Sequence, residues 1–147
     1  LTDQPAAEPE ELKIGQSAER RFAVTDAAVR AFAEVSGDHN PVHLDDAYAA
    51  RTVFRGRVAH GMLLGGHISA VLANQLPGPG SIYLSQSLHF EAPVRIGDEV
   101  LVRVEVTAID HTSSHVFLTT TCTVGGKLVA RGEAVVIPPR RRKARPA

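Results

Sequence analysis

The stretch SGDHNPVHLDD, from Ser36 to Asp46, gathers Asp38, His39, Asn40 and His43 on one short segment, followed by two more acids. Carboxylates and imidazoles are among the side chains that most often take and return protons in catalysis. Pro41 stands in the middle, so the segment is no smooth helix interior. It also keeps Asn40 out of the α region. A sharp turn here lets Asp38 and His43 face one point. On a regular helix, residues five apart sit about 140° from each other. Each residue also has a plain structural use. Asp38 can cap the turn before the proline, and His39 and His43 can be surface histidines.

The flanking elements must position this segment. Thr25 can cap a helix from about Asp26 to Ser36, closed by Gly37. Val29, Phe32, Ala33 and Ser36 fall on one stripe of it. Asp45 can cap a short helix, DAYAAR. TVFRGRVAHG reads as an extended loop. MLLGGHISAVLANQL is then apolar on nearly every side, so it must be surrounded by protein. The adjacent Gly65 and Gly66 imply that something packs close to its backbone.

The period then changes. Val100, Val102, Val104 and Val106 alternate with Leu101, Arg103 and Glu105, the pattern of a half-buried strand. SIYLSQSLHFEA places Ile82, Leu84, Gln86, Leu88 and Phe90 on one face. HVFLTTTCTV and KLVARGEAVVI flank Gly125-Gly126, a hairpin signal. PVRIGD carries a Gly-Asp turn. The expectation is an α+β fold in which a curved antiparallel sheet of at least four strands wraps one apolar helix. Its edge strands stay exposed unless paired, so a homodimer is expected.

Bulk properties narrow the class. The 147 residues suit a single domain, expected over 12–137, between an acidic leader (1–11) and a basic tail (138–147), both flexible. The chain opens on Leu1, consistent with a trimmed initiator or leader. Sixteen basic residues balance sixteen acidic ones, which argues against a nucleic-acid-binding surface. Cys122 is the only cysteine, so no internal disulfide forms and a cytoplasmic setting is expected. No apolar run approaches the ~20 residues that span a bilayer, so no membrane association is expected. Seven histidines invite a metal check. Pro41 interrupts the His39/His43 spacing and there is no H-E-x-x-H, so no metal is expected. Ser36 and Ser69 lack a G-x-S-x-G setting.

FAEVSGDHNPVHLDDAYA, then GRVAHGML, then LHFEAPVRIGDEV, resembles the MaoC-like (R)-specific enoyl-CoA hydratase family over most of residues 15–137. The resemblance implies a hot-dog fold, the shape that burial alone suggested. It implies reversible addition of water to a trans-2-enoyl thioester, giving an (R)-3-hydroxyacyl thioester, in fatty-acid metabolism or polyhydroxyalkanoate precursor supply. By the same resemblance Asp38 and His43 are the catalytic pair, and Asn40 fixes the loop between them. Gly61 offers its N–H to the thioester oxygen. No cofactor is implied; a coenzyme A or acyl-carrier-protein thioester is the substrate and partner.

The chemistry is consistent with those assignments. Water must lose a proton as it attacks C3, C2 must gain one, and the carbonyl oxygen turns enolate-like between. A carboxylate and an imidazole sharing one water serve the first two needs, worth about 10²–10⁴-fold. Gly61 lies where loop becomes helix. The first N–H groups there lack partners, the dipole favours negative charge, and no Cβ blocks the thioester. Met62, Leu63, Gly66 and Ala70, with parts of Tyr48–Phe54, are candidates for an acyl slot. Arg55, Arg57 and Arg95 are candidates for the carrier's phosphates. His60 reads as loop support, His67 as a core histidine and Cys122 as core filler. Two competing classes are a hot-dog thioesterase and a non-catalytic acyl-binding module.

Overall fold

The structure, a computed structural model, describes residues 12–140. The expected leader (1–11) and most of the expected tail (141–147) lie outside them. The elements run β1 (Ser17–Ala23), α1 (Asp26–Ser36), α2 (Pro41–Leu44), α3 (Asp46–Ala50), α4 (Gly61–Asn74), β2 (Ile82–Gln86), β3 (His89–Phe90), β4 (Glu99–Asp110), β5 (His115–Val124) and β6 (Lys127–Ile137). All strands form one antiparallel sheet in the order β1-β4-β5-β6-β2, with β3 also on β6.

Local signals set most boundaries. The Thr25 side chain accepts from Ala28 N at 3.0 Å, and Gly37 N–H donates to Ala33 O at 2.9 Å. α1 thus has the expected ends. Asp45 caps α3 through Tyr48 N at 3.0 Å. Gly125 and Gly126 have φ of 55° and 80°. Two consecutive left-handed residues match the twist of a two-residue hairpin, which here joins β5 to β6.

The core lies between α4 and the concave face of the sheet. Val100, Val102, Val104 and Val106 point inward and are fully or almost fully buried, with Val116, Leu118 and Cys122 beside them on β5. Leu64, Ile68, Val71 and Leu72 of α4 meet this face. Each such side chain contributes about 1.5–3 kcal/mol by leaving water. His67 is also on α4, half-buried, its ring stacked on Phe22 at 3.4 Å between centroids and 8° between planes.

Several expectations need correction. α4 is not sheathed all round. Met62, Gly66 and Ala73 lie along one exposed stripe, with Met62 58% exposed. The first element among the described residues is a strand, β1, which the pattern did not announce: Arg20 and Arg21 interrupt the alternation beside Phe22. SIYLSQSLHFEA is two strands, not one. The break lies at Ser87, where the segment crosses Gly132 of β6. A Cβ on Gly132 would stand 1.7 Å from Ser87 O. Ser87 N donates to Glu133 O and Ser87 Oγ accepts from Glu133 N, both at 2.9 Å. Gly65 and Gly66 also differ: a Cβ on Gly65 would meet Leu88 at 3.3 Å, while Gly66 faces open space.

Two stability outcomes follow from these contacts. Gly132→Ala has to displace the Ser87 backbone and is expected to cost at least about 1–3 kcal/mol, read from denaturant unfolding. His67 has its pKa lowered, first by burial and then by the Arg20 charge. The unfolded chain therefore takes up this proton first, at about pH 6.5. The stabilisation is present above that pH and falls away as pH drops towards the folded-state value. The stability of wild type minus that of His67→Phe, measured against pH, is expected to decline across that window.

Candidate active site

A cavity of about 560 Å³ opens at the N-terminal end of α4, and Asp38, Asn40, His43, His60, Gly61 and Met62 are on its wall. Each polar group arrives by a traceable route. Asn40 is the N-cap of α2: its Oδ1 accepts from Val42 N at 3.2 Å, and Pro41 takes the first helical position. That position suits proline, whose missing N–H is not needed there. The segment read as a bare turn is therefore a turn followed by one helical turn, and that helical turn carries His43. Asp38 stands before it, exposed, with Oδ1 accepting from Asn40 N at 3.1 Å. The structural use of Asp38 and a place on the cavity wall coexist.

His43 is half-buried. Its Nδ1 is 2.7 Å from Val58 O. A carbonyl only accepts, so Nδ1 carries the hydrogen and Nε2 is left with its lone pair. His60 is 2% exposed, and its Nε2 donates to Asp38 O at 3.0 Å. Its ring stacks on His43 at 3.8 Å between centroids, and its Nδ1 has no hydrogen-bond partner among the described residues. The residue read as loop support thus touches both members of the pair.

One ligand-type atom from each of Asp38, His43 and His60 lies within 4.8 Å of the other two. A water about 2.8 Å from each partner spans such a gap between carboxylate and imidazole. Two of the four imidazole nitrogens are committed to carbonyls, which leaves one nitrogen of each ring beside the Asp38 carboxylate.

The start of α4 also lies on the cavity. Its N-cap, His60, makes no side-chain capping bond, so the first amides lack that partner. A Cβ on Gly61 would come within 2.8 Å of the Phe90 ring. The clearance at Gly61 thus accommodates an aromatic ring as well as any substrate. Phe90 was not singled out as a site residue, because its alternation reads only as strand.

Other expected site residues are not brought here. Leu63 is buried in the core, 8% exposed, and Gly66 is on the outer stripe of α4; neither is on the cavity wall. Met62 is on this wall and also borders a second, apolar cavity with Gly65, Leu84 and Leu88. Of Arg55, Arg57 and Arg95, the first and last are exposed and Arg57 is half-buried. Arg95 Nη2 donates to Phe54 O at 2.6 Å, and Arg57 Nε to His43 O at 2.7 Å. Arg57 is thereby turned inwards, away from any phosphate. No sequence pattern marked this, since its partners are 14 and 31 residues away.

Comparison with known proteins agrees with the geometry. The family model described as "MaoC like domain" matches residues 9–126. The chain is 51% identical to the (R)-specific enoyl-CoA hydratase of Rhodospirillum rubrum, covering 90% of this chain and 92% of that one. It is 46% identical to the 3-hydroxybutyryl-CoA dehydratase of Methylorubrum extorquens, covering 93% and 87%. The unliganded R-hydratase PhaJ1 of Pseudomonas aeruginosa superposes with a TM-score of 0.86 at 43% identity, covering 95% and 94%. With its helix, sheet and D-x-N-P-x-H segment in place, this chain belongs to the MaoC-like family, in the branch of the (R)-specific enoyl-CoA hydratases.

Proposed function

We propose that the protein is a hydro-lyase that reversibly adds water to trans-2-enoyl-CoA, forming the (R)-3-hydroxyacyl thioester. The carrying observation is the meeting of a carboxylate and a singly protonated imidazole at the open start of α4. The chain's close likeness to hydratases along its length supports the same reading.

In this mechanism Asp38 and His43 hold one water from two sides. The water gives up a proton as its oxygen attacks C3, and C2 receives a proton on the same face. Gly61 N–H and the positive end of the α4 dipole take the thioester oxygen as it becomes enolate-like. Asn40 keeps the turn between the pair. Met62 lies beside the acyl chain. The residues and water suffice for this cycle without a cofactor, and coenzyme A enters only as part of the substrate. A cytoplasmic location and a role in supplying (R)-3-hydroxyacyl thioesters to polymer or fatty-acid chemistry fit this activity.

Crotonyl-CoA tests the reading directly. The pure protein is expected to bleach the conjugated thioester absorbance without releasing thiol. Thiol release would instead identify a thioesterase. Asp38→Asn and His43→Ala are each expected to lower hydration about 10²–10⁴-fold while circular dichroism stays that of the wild type. Rates equal to wild type would remove the pair from the mechanism.

A homodimer is part of the same proposal. β2 is a sheet edge, and Ile82 and Leu84 on it are 55% and 45% exposed. Open apolar edges favour pairing with a second copy. Light scattering after gel filtration is expected to give twice the chain mass for wild type, and the monomer mass for Leu84→Lys.

A further inference from the structure

We propose that Arg57 and Asp26 are positioning residues for His43, fixing its main chain while the neighbouring Val58 carbonyl fixes its ring. The proposal rests on the hydratase reading.

The reasoning starts from the length of α2. Four residues cannot satisfy their own last carbonyls. Two arginines from other elements supply what is missing. Arg57 Nε donates to His43 O at 2.7 Å, and Arg30 Nη2 reaches Leu44 O at 3.5 Å. Both converge on one carboxylate. Arg57 Nη2 lies 2.6 Å from Asp26 Oδ1, and Arg30 Nε lies 3.1 and 3.0 Å from the two Asp26 oxygens. The Arg57 side chain is only 8% exposed, whereas Asp26 is 51% exposed. A sequestered guanidinium needs its counter-charge. Asp26, at the first turn of α1, provides it and fixes the direction of the fork.

The geometry then separates two tasks. His43 Nδ1–H is tied to Val58 O, so the ring cannot spin about its last bond. That leaves translation of the residue as a whole, and the carbonyl held by Arg57 stops it. Consecutive residues of one loop thus grip the same histidine at ring and backbone. The loop itself is tied down by Val58 N to Val42 O at 3.3 Å and Ala59 N to Val94 O at 2.7 Å. Neither Arg57 nor Asp26 is on the cavity wall, so both act through His43.

The test uses the full chain and crotonyl-CoA. Arg57→Ala is expected to lower kcat on the order of 10²-fold, the scale of a misplaced catalytic group, with little change in KM. Millimolar guanidinium is expected to restore part of that loss, because it refills the vacated fork. Arg57→Lys is expected to recover less, since an ammonium lacks the planar pair of donors. Asp26→Asn is expected to lower kcat in the same direction, and the double variant to be no worse than Arg57→Ala, as for residues acting as one unit. If Arg57→Ala fails to fold, Arg57→Lys and Asp26→Asn, with folded fraction read by circular dichroism, decide the matter. Wild-type kcat in folded variants, or a loss that only tracks unfolding and ignores guanidinium, overturns the proposal. A wild-type protein inactive on crotonyl-CoA would defeat the hydratase reading instead.

Discussion

Burial of α4 against the valine face of β4 is the constraint on which the site depends. Ile68, Val71 and Leu72 enter the core completely or almost so, and this fixes the helix axis relative to the sheet. The N-terminal end then has nowhere to go but the rim of the core, where Gly61 and Met62 meet the cavity. A helix start brings unpaired amides and a positive dipole end wherever it stops. The hydrophobic packing thereby places a polar, anion-favouring feature beside an apolar space. That combination is hard to maintain in water alone, because solvent would satisfy the amides and screen the field.

What was legible in the sequence was what is local. Thr25, Gly37, Asp45 and the Gly125-Gly126 pair each act within a few residues, and each did in space what its type implies. The valine alternation of β4 was equally plain, because one face is wholly buried. β1 was obscure because exposed arginines surround Phe22, its one buried residue. The break at Ser87 was obscure for another reason: it depends on Gly132, 45 residues later in the chain, giving way to a crossing backbone. The full sheathing expected of α4 also failed in one respect. Composition shows that a helix is apolar, not whether a single chain covers every side of it, and Met62 remains open.

The polar segment repeats this division. Asp38, Asn40 and His43 could be named as candidates from their types beside Pro41, and as the pair and its support only through the family resemblance. The framework around them could not. Val58, His60 and Arg57 reach back 14 to 22 residues to hold the segment. The structural and chemical readings of Asp38 proved compatible. One oxygen closes the turn on Asn40 N–H, and a carboxylate has further lone pairs to offer a water. An Asx turn here is therefore a way to aim the carboxylate rather than an alternative to its use.

The two stacked imidazoles extend that logic to direction. Val58 O holds the hydrogen of His43 on Nδ1, whereas Asp38 O holds that of His60 on Nε2. The rings are thus fixed as opposite tautomers, face to face at 3.8 Å. In the proposed hydration either Asp38 or His43 takes the first proton from water; where it is His43 Nε2, the same nitrogen is the donor for the reverse reaction, and the bond of Nδ1–H to Val58 need not change. His60 spends its donor on the main-chain carbonyl of Asp38 and keeps a buried, unpartnered Nδ1 beside the His43 ring. A reversible reaction needs a group that serves both directions from one position. Fixing the tautomers by main-chain carbonyls, whose places are set by the fold, meets that need more rigidly than a second mobile side chain would.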